Sequence, residues 1–300
     1  MSDILITADE LAALIEGDAP VRILDVRWRL DRPDGRPDYL AGHIPGAVYV
    51  DLDTELAAHG APTDGRHPLP DTAALQEAAR RWGIDDGDTV VVYDDLKSLS
   101  AARAWWLLTD AGVDARILDG SLRSWTGSGR ALQAGDELPT PGSVTLTPGQ
   151  LPRLDIDDAA HFAADEGAVL IDVRAEERYR GDVEPIDPRA GHIPGAINLP
   201  TSANAGPDGR FLDAGRLRAD FEAAGVRPGI PVGVYCGSGV TASHAFAALT
   251  IAGFAPRLYP GSWSQWSNHP DRPVAVGAEP SAQPGAQPAA EPAPEKEHQL

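Results

Sequence analysis

The 300-residue sequence predicts an α/β protein of two tandem domains, each a mainly parallel central sheet flanked by helices. Two observations carry this. Blocks of sequence recur in the same order at nearly constant spacing, the mark of a duplication. Within each copy, short apolar strand-like runs alternate with helical patterns.

The repeated blocks come first. Ile-Leu-Asp-Val-Arg at 23–27 returns as Leu-Ile-Asp-Val-Arg at 170–174. Ala-Gly-His-Ile-Pro-Gly-Ala at 41–47 is repeated letter for letter at 190–196. Val-Val-Val-Tyr at 90–93 returns as Val-Gly-Val-Tyr at 232–235, and the block at 118–125, ending in Trp125, returns at 259–266, ending in Trp266. In the first copy, 21–25, 47–50, 89–93 and 115–118 read as strands. Helices are expected at 71–82, with Asp71 as N-cap, and at 100–111; Thr7-Ala8-Asp9-Glu10 reads as a capping box opening a first helix. In the second copy the matching strands are 169–173, 196–198, 232–235 and 256–258, with a helix at 213–224. The domains are expected at 1–126 and 150–276. A connection rich in glycine and proline fills 127–149. The tail 277–300, with no aromatic or β-branched residue, is expected to be disordered.

Composition narrows the function. A net charge of −20 and a pI near 4.6 repel phosphate backbones and argue against nucleic-acid binding. An anionic substrate would need local positive charge. No run approaches the ~20 apolar residues of a membrane span. Nor does the N-terminus show a basic region followed by an apolar one, so a cytoplasmic location is expected. The single cysteine excludes an intramolecular disulfide and a cysteine-rich metal site.

That cysteine, Cys236, directly follows the apolar run 232–235 and precedes Gly237-Ser238-Gly239-Val240-Thr241 and a helical stretch at 242–252. Backbone N–H groups at a helix N-terminus favour a thiolate, and the glycines let the backbone curl round an anion. Cysteine phosphatases need an arginine six residues after the nucleophile; here that position is Ala242. The loop suits sulfur rather than phosphorus.

These motifs together, with Gly-Ser-Trp-Ser-Gln-Trp at 261–266, resemble those of the tandem-domain rhodanese-type sulfurtransferases over about residues 5–275. The resemblance implies two rhodanese-like domains and a persulfide carried on Cys236. It also implies an inactive first domain, and Asp94 stands where Cys236 would match. Thiosulfate enzymes have two basic residues after the cysteine; Gly237 and Ser238 look instead like the 3-mercaptopyruvate sulfurtransferases. Arg178 falls where the family places a carboxylate-binding arginine, and Arg189 is nearest to the second. Ser238, His67 and Asp53 match a Ser-His-Asp relay between the domains, and Gly237, Gly239, Val240 and Thr241 would line the substrate site. His43, His192, Asp25 and Asp172 occur in both copies, which points to structural roles. Trp263 and Trp266 would wall the pocket or fill the core. The expected partners are a small anionic donor, 3-mercaptopyruvate or thiosulfate, and an acceptor such as thioredoxin, a small thiol or cyanide. No metal or organic cofactor is implied. The competing readings are a thiosulfate:cyanide sulfurtransferase and a non-catalytic rhodanese module that binds protein.

Overall fold

The computed structural model describes residues 4–17 and 20–280. Every strand pairing in its two sheets is parallel. In the first domain, β1 (Leu5–Ile6), β2 (Val21–Asp25), β3 (Ala47–Tyr49), β4 (Thr89–Tyr93) and β5 (Asp114–Leu118) lie in the order β1-β5-β4-β2-β3. In the second, β6 (Val169–Asp172), β7 (Ile197–Asn198), β8 (Val232–Tyr235) and β9 (Pro256–Leu258) lie in the order β7-β6-β8-β9. Strands β4 and β8 are therefore interior and almost wholly buried, which is why each reads as an unbroken apolar run. Strand β1 was not expected. Two residues show no periodicity, and only the pairing of Leu5 and Ile6 with Ile117 and Leu118 makes them a strand.

Side-chain caps start several helices, though Ala101–Asp110 and Val240–Ile251 have none. Asp71 accepts the Ala74 N–H at 2.8 Å ahead of helix Thr72–Arg81, and Asp213 accepts the Arg216 N–H at 2.9 Å ahead of Ala214–Ala223. The Thr7/Glu10 capping box opens helix Ala8–Glu16. Short helices such as Leu52–Glu55, Glu176–Arg180 and Ser262–Ser267 have too few turns to show a period and depend on tertiary contacts.

The repeated motifs fasten to one another. Arg27 grips buried Asp25 with two nitrogens and reaches the Gly42 carbonyl at 2.8 Å. Arg174 does the same to Asp172 and reaches the Gly191 carbonyl at 2.6 Å. His43 donates from Nδ1 to the Tyr39 carbonyl and stacks on that ring; His192 does so with Tyr179. The connection at 127–149 is strapped to the first domain. Gln133 pairs with His43 through both backbone groups, Gly142 donates to the Arg80 carbonyl, and Val144 and Leu146 are buried. Of the tail, 281–300 lie outside the described residues. Among the described residues no helix is long and apolar enough to cross a membrane.

One apolar cluster joins the domains. Helices Ala101–Asp110 and Val240–Ile251 pack together, with Trp105 and Trp106 each 6.2 Å from the Phe246 ring centre. Helix Val240–Ile251 is buried nearly all round, its polar Ser243 and His244 included. Phe246→Ala leaves a cavity between the domains and should lower stability by about 3–5 kcal/mol. Urea unfolding followed by tryptophan fluorescence should show one transition, shifted to lower urea. Two separate transitions in the wild type would contradict a shared core.

Candidate active site

The first domain shows what the loop after a central strand accommodates. Asp94 follows β4 directly and is fully buried. Its Oδ1 accepts N–H bonds from Leu96 and Ser98, each 2.8 Å, and the Ser121 hydroxyl at 3.0 Å. Its Oδ2 accepts the N–H groups of Ser100 and Ala101 at 2.9 and 3.0 Å. The carboxylate fills an anion cradle at a helix N-terminus.

Cys236 occupies the same place after β8 and is 2% exposed. Its sulfur receives the Gly239 N–H at 3.1 Å. Gly239 has φ +80°, and a Cβ there would stand 2.4 Å from the Pro260 carbonyl oxygen, so only glycine fits. From behind, the Cys236 N–H donates to the Ser262 hydroxyl at 3.1 Å. The N–H groups of Trp263 and Ser264 donate to the Cys236 and Gly237 carbonyls. The helix after the loop starts at Val240, ahead of the expected 242, so Val240 and Thr241 already belong to its first turn.

The sulfur lies in a cleft of about 280 Å³ that both domains line, Trp28 and Arg66 from the first and Arg174, Arg178 and residues 236–241 from the second, apart from Gly239. His67 crosses the interface. Its Nδ1 lies 2.8 Å from the Ser238 hydroxyl and its Nε2 3.2 Å from Asp53 Oδ1, which also accepts the Trp28 indole N–H at 3.0 Å. Burial pushes the imidazole down to about 4; Asp53 opposes this, and Arg103 and Arg66 add to it. His67 is therefore neutral near pH 7. The network assigns Nε2–H as donor to Asp53 and leaves Nδ1 to accept from Ser238.

Two guanidiniums overhang the loop. A Cβ on Gly237 would stand 3.2 Å from Arg66 Nη2 and 3.3 Å from Arg178 Nη1. Arg178 pairs with Glu184 at 2.7 Å and Asp187 at 3.4 Å, and Arg66 pairs with the other oxygen of Asp187. Burial pushes the Asp187 carboxyl up, against the pull of both arginines. Glu176 and Asp182, the nearer acids in sequence, bind Arg180 instead. Arg189 corrects the sequence reading. Its guanidinium donates to the carbonyls of Ser267, Arg272, Trp266 and His269, bracing the C-terminal segment outside the cleft. Arg66, adjacent to His67 in the chain, stands over the cleft in its place. Sequence reading missed it because nothing in one domain's loop signals which cation the other supplies. Trp263 and Trp266 are core; their indoles donate to the Arg189 and Pro273 carbonyls.

A cysteine in a backbone cradle at a strand-to-helix loop, in a cleft that a second domain completes, defines a nucleophilic-cysteine enzyme of the α/β class. A model of the rhodanese-like domain matches residues 7–128 and again 155–269, and the chain belongs to the rhodanese family as a tandem-domain sulfurtransferase. SseB of Mycobacterium tuberculosis, which bears a thiosulfate sulfurtransferase name, is 50% identical over 91% of this chain and 97% of its own. The 3-mercaptopyruvate sulfurtransferase of Escherichia coli is 35% identical over 89% of this chain and 96% of its own. The crystal structure of SseA from Escherichia coli superposes with a TM-score of 0.77 at 34% identity, covering 87% of this chain and 99% of that one.

Gly239→Ala forces a strained φ and a clash with Pro260. Turnover should fall on the order of a hundredfold, the scale of losing one donor to a developing anion; unchanged turnover would refute the cradle. The pH response is also fixed. Unfolded His67 binds a proton near pH 6.5 and folded His67 only near 4, so stability is greatest above 6.5 and falls as pH drops through that window, by on the order of 3 kcal/mol. Denaturation of His67→Gln between pH 7 and 4 should show a flatter loss than wild type; parallel curves would contradict the assignment.

Proposed function

We propose that this chain acts in the cytoplasm and moves sulfane sulfur from 3-mercaptopyruvate to a thiophilic acceptor through a persulfide on Cys236. The Cys236 thiolate attacks the donor sulfur. The carbon–sulfur bond breaks with its electron pair on carbon, and that carbon takes up the proton leaving the donor thiol, so that pyruvate departs. In this reading the Ser238–His67–Asp53 chain passes this proton, the neutral imidazole accepting from the serine; the contacts of 2.8 and 3.2 Å support it. A second thiophile, such as thioredoxin, a small thiol or cyanide, then bonds the outer sulfur. The sulfur–sulfur bond breaks and the thiolate returns.

The observation that carries this reading is the position of charge. No basic side chain follows the cysteine in the loop, where Gly237 and Ser238 stand. The cations, Arg66 and Arg178, approach over Gly237. That arrangement suits a carboxylate held beside the reacting sulfur, and the name of the Escherichia coli relative agrees with it. Thiosulfate is the second reading, favoured by the name of the Mycobacterium tuberculosis relative at the higher identity.

Intact-protein mass after brief incubation with each donor separates them. Wild type should gain one sulfur from 3-mercaptopyruvate and Cys236→Ser none. Gain from thiosulfate alone would transfer the assignment to that donor. Gain from neither would leave a protein-binding rhodanese module as the better account.

A further inference from the structure

The first domain has no cysteine, yet it sends one side chain to the backbone of the other domain's cysteine loop. Arg103, on helix Ala101–Asp110, is fully buried. It donates to the Leu56 carbonyl from Nε and Nη2, both at 3.2 Å, and to the His67 carbonyl at 3.0 Å. Longer contacts reach the Pro68 carbonyl at 3.4 Å and the Gly239 carbonyl at 3.5 Å. Among the described residues all its partners are neutral carbonyls. The other buried arginines differ, because Arg27 and Arg174 each hold an aspartate. A buried cation without an anion costs several kcal/mol unless another negative group stands near. A group able to carry negative charge lies one residue's backbone away: the Cys236 sulfur touches the N–H of the same Gly239 whose carbonyl meets Arg103.

We propose that Arg103 is the counter-ion of the Cys236 sulfur anion, a positioning residue that the first domain supplies across the interface. Burial pushes the Arg103 guanidinium down to about 10, and the charge of Cys236 is what opposes that push. The other groups facing the loop are already matched. Arg66 and Arg178 are bound by Asp187 and Glu184, Arg174 by Asp172 and Glu184, and His67 is neutral. Among the described residues that face the loop, Arg103 brings charge that no acid pairs, and it also holds the His67 backbone that presents the imidazole to Ser238. The inference rests on Cys236 being the reacting sulfur.

The chain has one cysteine, so iodoacetamide alkylation reads Cys236 alone. Alkylation rate against pH should be recorded for wild type, Arg103→Gln and Arg103→Lys. Arg103→Gln, which keeps a donor to the carbonyls and loses the charge, should move the midpoint up by about one pH unit or more, tenfold in the thiolate equilibrium. Arg103→Lys should stay close to wild type. An unmoved midpoint in folded Arg103→Gln would overturn the proposal. If that variant does not fold, Cys236→Ser and Cys236→Asp ask the same question with Arg103 intact. At pH 9 the serine variant should melt below wild type and the aspartate variant should recover; equal melting of all three would overturn it. Failure of either donor to load sulfur would leave these profiles untouched, so the two claims fail separately.

Discussion

Backbone N–H groups at the carboxyl end of a buried parallel strand must meet an acceptor, and where several converge with no water they favour an anion. Both halves of this molecule are organised round that requirement. In the first domain Asp94 meets it permanently with a carboxylate that takes four N–H groups and two hydroxyls. In the second, the side chain is a sulfur, and the Gly239 N–H reaches it across a turn that no other residue could make. The duplicated Asp-Val-Arg and Gly-His-Ile-Pro-Gly-Ala motifs fasten the neighbouring strand and turn, so the loop stands on a fixed frame in both copies.

The domains have divided the work. The second provides the sulfur, its cradle and Ser238. The first, fixed by its Asp94, provides His67, Arg66 and Arg103, which reach across an interface sealed by Trp105, Trp106 and Phe246, and Asp53, which holds His67 from within its own domain. A chain of net charge −20 thus presents guanidiniums to its cleft, each held in place by a buried acid. Such pairing orients the arginines while limiting the field they cast, which suits a small anion that must enter, react and leave.

Much of this was legible in the sequence because duplication repeats its own constraints. The interior strands β4 and β8 are apolar on both faces and announced themselves, Asp71 marked its helix because a cap is a local interaction, and the helix that Asp213 caps was read from its match to the first copy. The Cys236 loop was legible for the same reason, since strand, glycines and helix are contiguous. The Ser238–His67–Asp53 contact between the domains was legible through the family resemblance, but which cations face the cleft was not. Arg189 resembled a substrate arginine because a guanidinium that braces four carbonyls looks no different in sequence from one that awaits a carboxylate. Arg66 and Arg103 carried no signal, because their meaning comes from the Gly237 and Gly239 backbone of the other domain. The two-residue β1 and the short helices were invisible because they have no period until something packs on them.

The dependence of each domain on an anion at its strand end is tested most directly at Asp94, where no catalysis intervenes. Asp94→Asn keeps the shape and removes the charge, turning an amide NH₂ toward donors that need an acceptor. Urea denaturation should show a loss of at least about 2 kcal/mol, the scale of charge-assisted hydrogen bonds replaced by clashing donors. A variant as stable as wild type would contradict the account, because the loop would then be shown to need no anion at all.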